Sequence, residues 1–97
     1  MADKRENDLI FIGAKPIMNY VTSIAIQFNA KNKKEVTIKA RGKFISKAVD
    51  IAEVCRRRFL KHLNLSVKEI KISSEEFESK EKRKINVSCI EITLIKK

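Results

Sequence analysis

Histidine, cysteine, glycine, proline and tryptophan are all scarce: one, two, two, one and none in 97 residues. His62 alone cannot complete the common zinc spacings, and Cys55 and Cys89 stand 34 residues apart with no C-x-x-C pair. The two glycines, Gly13 and Gly42, build no G-x-x-x-x-G-K-[ST] loop, so nucleotide hydrolysis is not indicated. No apolar run approaches the ~20 residues of a membrane span. No Ser or Cys is tied to His62 by a local catalytic pattern. Cys55 falls on an apolar helical stripe and Cys89 within a strand, so both read as packing residues. The expectation is a protein with no catalytic residue, no metal, no cofactor and no small-molecule substrate. Residues 1–8 are polar, lack the apolar region of a secretory signal, and read as a short disordered tail. Two free thiols fit a reducing, cytoplasmic setting.

Aromatics are also few: Phe11, Tyr20, Phe28, Phe44, Phe59 and Phe77. Four of the six fall in apolar stripes or strands and read as core. Readers of single strands display aromatics for base stacking, so this pattern favours duplex backbone binding. Phe59, near a helix end among Arg56, Arg57 and Arg58, is either a core residue or an exposed protein–protein contact.

Positive charge, by contrast, is abundant. Twenty-two Lys and Arg face twelve Asp and Glu, a net charge of +10, while 43% of residues are hydrophobic. That combination describes a folded basic module, which attracts nucleic acid first and an anionic membrane second. Residues 9–61 carry twelve basic and three acidic groups, so nearly all of the excess lies there.

Hydrophobic periodicity orders this region. Leu9–Ile12 is a short apolar strand ended by Gly13. Pro16 opens a helix to Ala30, with Ile17, Tyr20, Val21, Ile24 and Phe28 at helical spacing. Residues 35–41 alternate, with Val36, Ile38 and Ala40 inward and Thr37, Lys39 and Arg41 outward. A second helix runs from Ile45 to Lys61. Leu65–Phe77 is a strand whose apolar phase slips between Val67 and Ile70, which signals a bulge. Ile85–Ile95 is the last strand, apolar on both faces near Cys89 and Ile90. The fold class is therefore α/β (α+β): a single domain, residues 9–97, in the order β-α-β-α-β-β. It has a four-stranded mixed sheet, two helices and an extended hairpin arm between the last two strands. The first two strands are parallel through a right-handed crossover.

Parallel strands place Gly13–Pro16 and Arg41–Lys43 at one edge of the sheet, each loop feeding a helix N-terminus. Lys15, Arg41 and Lys43 there make either a phosphate platform or ordinary solvated turns. Residues 75–84 carry four charges of each sign. With Lys80, Lys82, Arg83 and Lys84 near its tip, this hairpin is either a basic arm along a duplex or a solubilising loop with internal pairing.

Ile12-Gly13-Ala14-Lys15-Pro16-Ile17-Met18-Asn19-Tyr20 and the stretch Ile38 to Asp50 (I-K-A-R-G-K-F-I-S-K-A-V-D) resemble the archaeal chromatin protein family Alba. Arg58-Phe59-Leu60 and Val87–Ile92 extend the resemblance, which covers residues 9–97. It implies a homodimer that binds double-stranded DNA with little sequence preference, in many members RNA as well. The implied contacts are Lys15, Arg41, Lys43 and Lys47, with the arm residues Lys80, Lys82, Arg83 and Lys84. Arg58 and Phe59 fall in the patch where dimers meet dimers. The implied role is chromosome organisation in the cytoplasm, associated with the nucleoid, with action on structured RNA as the alternative. Ala14 stands where family members often have a first lysine, an acetylation site in some, which implies that this control is absent or moved here. The glutamates of the arm, and Asn86 where some relatives have arginine, imply weaker, more salt-sensitive binding.

Overall fold

Two shorter segments, one apolar and one alternating, and one long pair build the sheet. In a computed structural model, described over residues 9–97, the strands are β1 (Leu9–Phe11), β2 (Glu35–Arg41), β3 (Ser66–Glu78) and β4 (Lys84–Ile95). They lie in the order β1-β2-β4-β3. β1 pairs parallel with β2, Phe11 opposite Lys39, and β4 runs antiparallel to both β2 and β3. The tail expected at residues 1–8 lies outside the described residues.

One helix, α1 (Ile17–Ala25), crosses from β1 to β2, and α2 (Ile45–Val54) crosses from β2 to β3. Each continues into a π-helical turn, Ile26–Ala30 after α1 and Cys55–Phe59 after α2. Pro16 sits one residue before α1, in extended conformation, and its carbonyl accepts the Asn19 N–H at 3.0 Å. The second helix stops at Phe59 rather than Lys61. Leu60 leaves the helical path and is buried, and Lys61–Leu63 form one 3₁₀ turn closed by Asn64 in the left-handed region (φ 52°).

Both helices cover one face of the sheet. Ile24, Phe28, Ile51 and Cys55 from the helical segments meet Val36, Ile38, Ile92 and Leu94 in the core. Cys55 is fully buried, and that burial pushes its thiol up to about 12, which leaves it neutral and inert at physiological pH. The bulge lies where the apolar phase slips, as a register shift between Val67 and Glu69.

Three positions differ from the alternation. Thr37, expected to face solvent, is buried: its hydroxyl shares a 2.9 Å hydrogen bond with that of Thr93, directly opposite on β4. A central strand lets such cross-strand pairs cover each other. On β3 the reverse occurs. Ile70 and Ile72 lie opposite Ile92 and Ile90, yet are 57% and 80% exposed, because β3 is a sheet edge that the helices do not reach.

Candidate functional site

The loops after β1 and β2 share the edge of the sheet at which these parallel strands end. The first loop is held by groups far from it in sequence. The buried Tyr20 hydroxyl accepts the Gly13 N–H at 2.8 Å and the Lys15 N–H at 3.2 Å. A Cβ on Gly13 would stand 3.4 Å from that hydroxyl, so glycine keeps the approach open. From the first turn of α2, the Lys47 ammonium donates to the Gly13 carbonyl at 2.6 Å and to the Lys15 carbonyl. It also lies 5.3 Å from the Tyr20 ring centroid and 5.7 Å from that of Phe44, within cation–π range. Lys47 thus ties the first loop to the helix that follows the second, and its charge is engaged inside the protein. Lys15, Arg41 and Lys43 remain exposed around it. Gly42 adopts φ +51° in the second loop, a left-handed conformation that suits glycine.

Arg41 is not isolated. Its Nε bonds Glu75 at 3.0 Å, and its guanidinium lies 5.3 Å from the Phe77 ring centroid. Glu75 also accepts from Lys39 at 2.9 Å. The Lys39 hydrogen bond leads in holding the Glu75 carboxyl below its usual value, with the charges of Lys39 and Arg41 adding to it. Glu75 sits at the base of the arm and joins β3 to β2 across β4. The acidic base of the arm is therefore paired with cations of β2, not with the arm's own lysines. At the tip, the Ser79 N–H donates to the Arg83 carbonyl at 2.8 Å, and Lys82 takes a left-handed conformation (φ 61°) that closes a turn without glycine. Lys80, Lys82, Arg83 and Lys84 are all exposed, with Arg83 3.9 Å from Glu81.

The third group of candidates lies apart from these loops, at the end of the second helix. Phe59 is 52% exposed. Arg56 and Arg57 both bond Glu53, at 2.6 and 3.1 Å, and the Arg56 bond leads in lowering the Glu53 pKa. Arg58, beside Phe59, has no acidic partner among the described residues.

Sequence reasoning missed the positioning roles of Tyr20 and Glu75 and the exposure of Phe11. Among the described residues, no group of three or more His, Cys, Asp or Glu is gathered as a metal site, and no helix is long and apolar enough to cross a membrane.

This arrangement of loops, helices and arm has known counterparts. The family model described as Alba matches residues 8–74. The chain belongs to the Alba family. It is 55% identical over 89 residues to the DNA/RNA-binding protein Alba of Methanocella arvoryzae, covering 92% of this chain and 90% of that one. It is 53% identical over 88 residues to DNA/RNA-binding protein Alba 1 of Archaeoglobus fulgidus, covering 91% and 94%. Among solved structures, Alba from Thermoplasma volcanium superposes with a TM-score of 0.82 at 45% identity, over 91% of this chain and 99% of that one. ALBA1 from Trypanosoma brucei shares the fold, with a TM-score of 0.69 at 23% identity, over 98% of this chain and 72% of that one. This Alba domain carries Ala14 ahead of Lys15 in the first loop and Phe44 after Lys43 in the second.

Proposed function

We propose that this chain is an architectural nucleic-acid-binding protein: a homodimer that binds double-stranded DNA through its phosphates, with little sequence preference, and organises the chromosome. One observation carries the reading. Tyr20 of α1 and Lys47 of α2 together fix the first loop, so that Lys15, Arg41 and Lys43 lie exposed around two helix starts. Clustered, exposed cations suit phosphates, and phosphate contacts carry no sequence information. The names of the archaeal relatives support DNA and RNA as ligands. The exposed Ile70 and Ile72, with Val49 one turn beyond Ile45 on α2, form an apolar flank suited to a second copy. The exposed Arg58 and Phe59 suit contact between dimers along the duplex.

The test is equilibrium binding of duplex DNA, duplex RNA and single-stranded RNA across a salt series. Lys15→Ala and Arg41→Ala are each expected to weaken duplex binding equally on unrelated sequences and to reduce the salt slope by about one. A change in sequence preference with Arg41→Ala would replace this reading with direct base readout. Binding confined to RNA would move the role to structured RNA.

Glu75→Gln is expected to act in the opposite direction. Removing its charge frees Arg41, while Lys39 keeps Glu91, 3.9 Å away, so affinity rises severalfold at low salt and the salt slope steepens. The same variant is expected to change acid stability. A carboxylate whose pKa is lowered by folding stabilises above its ordinary value, about 4.5, and loses that contribution as pH falls through the lowered one. The pH dependence of unfolding below about 4.5 should therefore be flatter in Glu75→Gln. Unchanged affinity in a salt titration would show that Glu75 does not compete with phosphate.

A further inference from the structure

Phe11 points away from the core. Its register partner is Lys39, so it lies on the sheet face that the helices leave open, and it is 57% exposed. Beside it a groove of about 300 Å³ opens at the ends of β1 and β2, walled by Phe44 and Val87 and rimmed by Arg41 and Lys43 of the second loop. Its lining is mostly apolar, while the cations at its mouth are those assigned to phosphate. The Lys43 ammonium lies 5.4 Å from the Phe44 ring centroid, over the groove wall.

We infer that this groove receives one unpaired nucleobase, stacked on Phe11, from a single strand or a bulge whose backbone phosphates lie on Arg41 and Lys43. Three observations argue for this occupant. An apolar slot flanked by two cations, Arg41 and Lys43, complements a flat base attached to a phosphate. The bases of a duplex are stacked in its interior and cannot enter a lateral groove without being splayed out. β1 is the sheet edge opposite β3, so dimerisation through Ile70 and Ile72 leaves the groove open. The inference rests on the nucleic-acid reading above and adds a second binding mode to it: backbone contact for duplexes, and stacking for unpaired bases.

The experiment compares a single-stranded oligouridine with a blunt DNA duplex at fixed salt, using the intact protein. Phe11→Ala is expected to weaken oligouridine binding about 5- to 100-fold, the loss of one stacked base, and to leave duplex binding within about twofold. The chain has no tryptophan, so Phe11→Trp places a single tryptophan at the slot, which can be excited apart from Tyr20. Oligouridine should quench it, and the duplex should not. Equal losses on both ligands, no loss on either, or an unquenched Trp with bound oligouridine would each overturn the groove assignment while leaving the duplex reading intact. Wild-type protein that binds neither ligand would overturn both.

Discussion

Replacing Lys47 with methionine is expected to destabilise the fold by about 1–3 kcal/mol and to lower its melting temperature by roughly 5–15 °C. Methionine preserves most of the apolar stem but removes the ammonium that bonds the Gly13 and Lys15 carbonyls. The cost falls mainly on Gly13, whose bond is partly buried, since water can reach the exposed Lys15 carbonyl. Affinity for duplex DNA should fall as well, because the loop that presents Lys15 loses one of its two ties. Lys15→Ala provides the contrast: the same loss of affinity with an unchanged melting curve. Thermal unfolding and a salt titration on both variants decide the role of Lys47. A Lys47→Met protein with wild-type melting and a salt slope smaller by one would make Lys47 a phosphate contact, the role the family resemblance implies.

The second large effect concerns assembly. Ile70→Asp combined with Ile72→Asp should leave the chain folded, because both side chains are already more than half exposed, but should abolish the proposed dimer. Light scattering should then report the mass of one chain. Two linked copies bind one duplex with an avidity that separate copies lack, so affinity should drop about 100-fold or more and the salt slope should halve. A double variant that stays dimeric would place the interface elsewhere.

The architecture was legible because its signals are local. Alternation at Val36–Arg41, helical spacing from Ile17 to Phe28 and the slipped phase at Val67–Ile70 each depend on near neighbours, and each corresponds to an observed element or bulge. The position of the two loops followed from chain connectivity alone. What escaped depends on register between distant segments. A run of four apolar residues, Leu9–Ile12, does not say which of them faces the core; only pairing with Lys39 puts Phe11 on the open face. Thr37 looks like a solvent-facing residue until Thr93 is set opposite it. Lys47 looks like one more surface cation until its partners, 34 and 32 residues earlier, are known. Glu75 looks like part of an acidic run until β4 brings it over Lys39 and Arg41.

The position of Glu75 also makes the arm a mechanical object. Its bonds to Lys39 and Arg41 clamp the hairpin to the middle of the sheet, so any swing must pivot beyond that point. Only three residue pairs, from Glu76↔Asn86 to Glu78↔Lys84, and the terminal turn project past the clamp. That is a lever of about 10 Å of ladder. Under the proposed binding mode, so short a lever would reach one groove edge with its basic tip without wrapping a duplex, and releasing the clamp would move the fulcrum back toward the body and lengthen the stroke.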